Sequence, residues 1–364
     1  MRILQVNSAK TFGGGERHFV DLCQGLVEKG HEVFALINPQ SNWIDRLHFL
    51  NDRIFKISIK NSLDFSASLK IASLCRTEKI QIIHAHIAKD FLPVSLACRM
   101  LHDTKFFLTR HVLFPMRSIY RLALSNLTKA IAVSEAVAME LRVTLPQEKI
   151  VIVPNGIRVE NWLELNRYSR EDFLKLHGIS REAQIISTLG ELKELKGQRE
   201  FVLASQIVLN EFPNAFFIVV GQDNTPTKSF RRELKRLVNV LGLEKNFLFL
   251  DWVEDTAELF ACTDVFVSPS RSESFGLAIL EAMASGMAIV ATRTHGAMSL
   301  LEDGVSGKLV PIREALELAS AIKSLLANEE LRKTLGKNAQ EKAKQFSIDR
   351  MIDRIEELYR SSMA

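Results

Sequence analysis

Apolar residues in this chain fall in short runs, and the stretches between them carry apolar positions at helical spacing. The runs predict strands at residues 3–7, 32–37, 54–57, 82–86, 105–108, 130–133 and 150–153. Between them, residues 18–28, 67–76 and 94–101 read as amphipathic helices. Alternation of this kind, with strands apolar on both faces, predicts a parallel, doubly wound α/β sheet. Pro154-Asn155-Gly156 interrupts the pattern, and the polar stretch 158–170 that follows reads as a linker. The pattern then resumes with strands at 185–189, 215–220, 247–250, 265–268 and 288–291. The fold expected is therefore two Rossmann-like domains. Ligands are expected at the carboxyl ends of the strands, in a cleft between the two.

The chain ends on one more amphipathic helix. Ile348, Met351, Ile352, Ile355 and Tyr359 lie at helical spacing, with Ser347 as its N-cap. Spacing alone leaves open whether this helix packs on the second half or returns to the first.

Composition narrows the class. The 364 residues are 47% hydrophobic and 25% charged, the balance of a soluble globular protein with room for two cores. No apolar run approaches the ~20 residues that span a bilayer, and the apolar start Met1-Arg-Ile-Leu lacks the architecture of a signal peptide. Cys23, Cys75, Cys98 and Cys262 are scattered without metal-binding spacing, as suits core residues in a reducing cytoplasm. The net charge of +4 divides unevenly, +6 over residues 1–164 and −2 over the rest, which points to an anionic partner for the first half. Residues 105–129 add five cations (Lys105, Arg110, Arg117, Arg121, Lys129), no acid, and interleaved Phe106, Phe107, Phe114, Met116, Ile119, Tyr120 and Leu124. A basic helix with apolar flanks suits an anionic membrane surface, and a solvated basic face over an ordinary core fits the same residues. Nucleic acid is not among the partners expected.

The densest chemistry lies after the strand 265–268, in Ser268-Pro-Ser-Arg-Ser-Glu273-Ser-Phe-Gly276-Leu-Ala-Ile-Leu-Glu281-Ala-Met. Glu273 falls in a polar loop, and Glu281 within an apolar helix starting near Phe275. A buried carboxylate without partners is costly, so Glu281 is expected to meet a polar group, either of the protein or of a ligand. Ser274, Phe275, Gly276 and Leu277 place unpaired amides at a helix N-terminus, where a phosphate is favoured and Gly276 permits close approach. Phosphates there and hydroxyls at Glu281 describe a nucleotide sugar. Thr11-Phe-Gly-Gly14-Gly15-Glu16 follows the first strand without matching GxGxxG, so it is either an amide-rich anion loop or simply a tight turn. His84 and His86 end one strand and His111 follows another; His84 reads as structural, with His86 held in reserve. Asp264 reads as a cap or core residue.

The segment P-S-R-S-E-S-F-G-L-x-x-L-E-A-M-A-x-G resembles the E-x7-E signature of the retaining glycosyltransferases of family 4. The resemblance implies the GT-B fold: residues 1–160 as an acceptor-binding domain, 165–346 as the donor-binding domain, and 347–364 as a helix crossing back to the first. It implies that Glu281 holds the ribose, that Glu273 contacts the transferred sugar, and that the amides of Phe275, Gly276 and Leu277 face sugar and diphosphate. Gly14 and Gly15 would reach the donor phosphates, and His111 matches the family's histidine beside the sugar. Leu189-Gly-Glu191-Leu-Lys193-Glu-Leu-Lys196-Gly resembles the family's G-R-L-x-x-x-K-G, with Lys196 on the diphosphate; Glu191 departs from it, standing where an arginine is usual. Lys193, Arg199 and Arg271 are the candidate replacements. Val219-Val-Gly221 resembles a donor loop, and Asp251-Trp252-Val253 the segment whose backbone reads the base. No Asp-x-Asp triplet is present, so the expectation is a hexosyltransferase that needs no metal or other cofactor, with the nucleotide sugar as co-substrate. Its implied acceptor is a saccharide or a lipid-linked sugar of the bacterial envelope. Its implied place is the cytoplasm, or peripherally the inner face of the membrane. Two alternatives stand beside it, a GT-B nucleotide-sugar epimerase and a non-catalytic nucleotide-sugar binder.

Overall fold

The computed structural model describes every residue except 117, 118, 163, 164, 252, 254 and 364, and residue 166 without its side chain. The chain divides into two units, one formed by Met1–Gly156 with Ile348–Ala364 and the other by Ile157–Ser347.

In the first unit β1 (Arg2–Asn7), α1 (Gly14–Glu28), β2 (Glu32–Ile37), β3 (Ile54–Lys56), α2 (Phe65–Thr77), β4 (Ile82–Ala85), α3 (Ala88–Arg99), β5 (Lys105–Arg110), α4 (Tyr120–Ala123), β6 (Lys129–Ala132), α5 (Glu135–Arg142) and β7 (Ile150–Ile152) follow in order. The strands form one parallel sheet in the order β3-β2-β1-β4-β5-β6-β7. Helices cover a parallel sheet on both faces, which is why its strands are nearly continuous apolar runs. The C-terminal helix, Ile348–Met363, belongs to this unit: Ile348, Met351, Ile352, Ile355 and Tyr359 share a core with Phe19, Leu22 and Leu26 of α1. Its apolar stripe is thus spent on the first half of the chain.

Residues 105–129 are not the basic helix expected from composition. Lys105, Phe106, Phe107 and Arg110 are strand β5, α4 is a single turn, and Lys129 opens β6. Phe106 and Phe107 are core residues, and Arg110 is buried with its guanidinium donating to the Phe114 carbonyl at 2.5 Å. Arg117 lies outside the described residues.

The second unit runs α6 (Arg170–Leu176), β8 (Gln184–Leu189), α7 (Gln198–Leu209), β9 (Ala215–Val220), α8 (Ser229–Val240), β10 (Phe247–Leu250), α9 (Thr256–Cys262), β11 (Val265–Ser268), α10 (Leu277–Ala284), β12 (Ala288–Thr292), α11 (His295–Leu300), β13 (Lys308–Val310), α12 (Ala315–Leu326) and α13 (Glu329–Ala343). Its sheet is parallel in the order β10-β9-β8-β11-β12-β13. Strand order reverses beside β1 and β4 in the first unit and beside β8 and β11 in the second. In doubly wound sheets ligands bind at such switch points, beyond the carboxyl ends of the strands.

Candidate active site

In the second unit the loops after β8 and β11 are zipped together at the switch point. The amide of Arg271 donates to the Leu195 carbonyl at 2.8 Å, and Lys196 Nζ donates to Glu273 Oε2 at 2.6 Å. Both side chains are largely buried, so this ion pair is only partly screened by water. From below, the Gly296 amide at the start of α11 donates to the Glu273 carbonyl at 2.9 Å. A Cβ on Gly296 would stand 2.6–2.8 Å from the Phe275 backbone, so α11 reaches this loop only through a glycine. The Phe275 ring is buried against Phe346, 5.9 Å away and edge-on, which makes that side chain an anchor for the loop.

Helix α10 begins at Leu277, two residues later than the pattern suggested, with Gly276 at its N-cap in the left-handed region (φ 102°). No side chain caps it, and its first intrahelical bond runs from the Leu280 amide to the Gly276 carbonyl at 3.0 Å. The amides of Leu277, Ala278 and Ile279 therefore have no acceptor within the helix, and they carry the positive end of its dipole. Ser274 is half-buried in the preceding turn. Glu281 lies one turn into the helix, 3% exposed, and its Oε2 accepts from Thr256 Oγ at 3.2 Å.

Glu191 is neutralised locally. It pairs with Lys193 and accepts from Asn224 at 3.2 Å. Arg199 pairs with Glu233, and Arg271 is held by Glu194 and by Glu200 at 2.6 Å. All three candidate replacements for the missing arginine are thus engaged with carboxylates. Gly221 follows β9 directly, its amide donating to the Leu250 carbonyl at 3.0 Å. Val253 packs on the small core around Phe173, Ile185 and Leu259, and Trp252 lies outside the described residues. Asp264 accepts from the Ile185 amide at 2.7 Å and from Arg170 at 2.8 Å, a structural assignment.

In the first unit, Gly14 opens α1, and the position of a Cβ on Gly15 would be 3.7 Å from the His111 ring. His86, just past β4, stacks on His111 at 6.0 Å, and His18 completes the group at 4.8 Å from His111 and 5.6 Å from His86. His84 sits deeper, with Nδ1 against the Tyr359 hydroxyl at 2.5 Å and Nε2 against Thr109 at 2.8 Å. Gln5 links the layers: its amide donates to Tyr359 at 3.2 Å, leaving its carbonyl oxygen 2.7 Å from His86 Nε2. His86 Nε2 is therefore the donor, and its lone pair is on Nδ1. Burial lowers the basicity of all four rings, taking His18 to about 4 against a weaker opposing effect of Asn155. They are neutral at pH 7.

From the sequence no polar role was expected of His18, Thr256 or Tyr359, nor of Asp90. Asp90, in the first turn of α3, accepts from the Ser8 amide at 2.8 Å and fixes the loop after β1; burial raises its carboxyl to about 6. His18 was legible, since it follows the glycine loop by one helical turn. Tyr359 was not, because it counted as one more apolar position in a stripe.

Each half of the chain matches a known family model. The model for glycosyltransferase family 4 matches residues 12–161, and that for glycosyl transferases group 1 matches residues 169–342. The chain is 27% identical to the lipopolysaccharide core biosynthesis glycosyltransferase LpsE of Rhizobium meliloti, over 94% of each chain. It is 24% identical to the N-acetyl-alpha-D-glucosaminyl L-malate synthase of Bacillus anthracis, over 95% of this chain and 93% of that one. The structure of Anabaena HepE in complex with UDP and glucose superposes with a TM-score of 0.87, 21% identity, and coverage of 99% of this chain and 100% of that one. With one such model over each unit and related sugar-transferring enzymes aligned along nearly its whole length, the chain belongs to the group 1, family 4 glycosyltransferases of GT-B fold.

Proposed function

We propose that this enzyme moves a hexose from a nucleotide diphosphate sugar to a saccharide or lipid-linked acceptor of the bacterial envelope, with retention at the anomeric carbon. The second unit binds the donor. The observation that carries this reading is the Lys196–Glu273 pair beside the uncapped start of α10. A diphosphate settling on those amides offers Lys196 a stronger anion than one carboxylate. The lysine turns to it, and Glu273 is released toward the sugar. As the glycosidic bond to phosphate breaks, charge grows on the leaving oxygen, where Lys196 and the amides of Leu277, Ala278 and Ile279 already point. That electrostatic stabilisation requires no metal bridging the phosphates. The departing phosphate takes the proton of the acceptor hydroxyl, which attacks from the same face. Glu281 holds the ribose, the backbone near Val253 and Gly221 borders the base, and His111, with the Gly14–Gly15 loop, serves the first unit's part of the reaction.

The names of the relatives support the acceptor class, and a UDP-glucose complex of a structural neighbour supports the donor class. The test is a panel of UDP-, GDP- and ADP-sugars read by thermal shift, followed by transfer assays with the best donor and with EDTA present. One donor should raise the unfolding temperature and support transfer with retention. Glu273→Gln should lower kcat by about 100-fold or more while keeping the fold, as expected for a group acting at the transition state. Full transfer by the Gln variant, or epimerised donor as the product, refutes the reading.

We further propose that the first unit docks on anionic membrane through the segment after β5. Val112, Phe114 (64% exposed), Ile119 and Leu122 (79% exposed) are outward apolar residues there, with Arg121 exposed among them. Among the described residues no helix is long and apolar enough to cross a membrane. Vesicles containing anionic lipid should co-sediment the protein at low salt, and Phe114→Ser with Leu122→Ser should reduce that binding. Equal binding to neutral vesicles removes the proposal.

A further inference from the structure

We propose that His18, His86 and His111 form a binding site for a divalent transition metal of the zinc class, built wholly from residues of the first unit. One ligand nitrogen from each ring lies within 4.8 Å of the others. A tetrahedral ion bound at about 2.0–2.1 Å to each imidazole nitrogen places the ring centres roughly 5 Å apart. The observed separations of 4.8, 5.6 and 6.0 Å bracket that value, so small side-chain rotations close the site.

The surroundings are also those of a metal site. A ligating histidine nearly always donates its second ring N–H to a carbonyl or carboxylate oxygen, which fixes the tautomer and aims the lone pair. His86 has this arrangement: Nε2 donates to the Gln5 oxygen at 2.7 Å, and Gln5 is itself held by Tyr359. His86 Nδ1, the nitrogen with the lone pair, is buried and meets no hydrogen-bond partner. Neither ring nitrogen of His18 makes a well-formed hydrogen bond, and the buried Oδ1 of the nearby Asn155 has no donor. Rotation of His18 toward Asn155 would satisfy that oxygen and turn the other nitrogen to the ion. Buried polar atoms left unpaired are uncommon and call for an explanation. Two neighbouring rings with unused nitrogens facing a third have one in a shared cation.

The ligands come from rigid places, the first turns of α1 and the ends of β4 and β5. Neutral imidazoles suit zinc, copper or nickel rather than magnesium or calcium. The four cysteines are buried with thiols pushed upward by desolvation, so they do not compete as thiolates. Three protein ligands leave a fourth position for water or a hydroxyl.

The experiment uses the full chain without a polyhistidine tag, stripped with a chelator and exchanged into chelator-free buffer. Cobalt(II) is the probe. About one equivalent should produce the visible absorption of a tetrahedral nitrogen site, zinc should displace it, and either ion should raise the unfolding temperature. His18→Gln and His111→Gln should each weaken cobalt binding by roughly 100-fold or more, since even outer partners of ligands are worth 10–100-fold. X-ray absorption of the zinc-loaded wild type supplies a readout that needs no variant to fold. Three imidazoles at about 2.0 Å support the site; sulfur scattering, or fewer than two imidazoles, overturns it. Absence of the cobalt bands, or identical affinity in folded His18→Gln and His111→Gln, overturns it equally. None of these readouts depends on sugar transfer, so the site stands or falls apart from the proposed reaction.

Discussion

Glu281 carries the argument at the level of single residues, because its chemistry is out of place among Leu280, Ala282 and Met283. A 3%-exposed carboxylate in an apolar helix is retained where something uses its charge, and Thr256 supplies one hydrogen bond to it. If the ribose diol supplies others, Glu281→Gln removes charge from those bonds while Gln still accepts from Thr256. Bonds to a charged group are worth about 1.5–3 kcal/mol, so affinity for the nucleoside diphosphate selected by the donor panel should fall by about 10- to 150-fold. Calorimetry with the ribose and the 2′,3′-dideoxyribose forms checks the cause: the variant's deficit should shrink sharply with the dideoxy ligand. An equal deficit for both forms would place the effect in the protein's packing instead. Glu273 and Lys196 were legible from spacing and resemblance, whereas their mutual ion pair was not, because the residues are far apart in the sequence and meet only through the switch-point topology.

At the level of elements, the pattern of apolar runs located twelve of the strands, for a simple reason: a parallel sheet covered on both faces writes each strand as an uninterrupted run. It failed where an element is short or where a local rule is overridden. β13, Lys308–Val310, is too brief to register as a run, yet it pairs with β12 from Val290 to Thr292. Helix α3 starts at Ala88 rather than after Pro93, so the proline lies inside it. Proline costs a helix one hydrogen bond and crowds the preceding turn, but Phe91, Leu92 and Val94 around it are buried. Tertiary burial outweighs the local penalty. The basic stretch 105–129 misled for a related reason, since composition counts a buried strand arginine such as Arg110 the same as an exposed one.

The molecule as a whole closes its first unit with its last helix, and the polar fastening of that helix has a pH signature. Glu356 accepts from His31 at 2.8 Å and from Arg360 at 2.7 Å, and pairs with Lys29 at 3.4 Å. Burial alone would raise its carboxyl, but those three partners outweigh burial and lower it to about 2. His31 is shifted downward by its own burial despite this partner, so much of the hold is on the carboxylate side. A depressed folded-state acid stabilises the fold above the unfolded value near 4.5 and loses that contribution as pH falls toward 2. A difference of this size is worth about 3 kcal/mol. Glu356→Gln should therefore lower the stability of the first unit by up to that amount at pH 7, and by little at pH 2.5. Urea unfolding reports it, with Trp162→Phe and Trp252→Phe leaving the buried Trp43 as the probe of the first unit. Parallel stability–pH curves for the two proteins between pH 5 and 2.5 would mean that the Glu356 carboxylate contributes nothing to the fastening, leaving the last helix to its apolar stripe against α1 and to the bonds of the Tyr359 hydroxyl with His84 and Gln5.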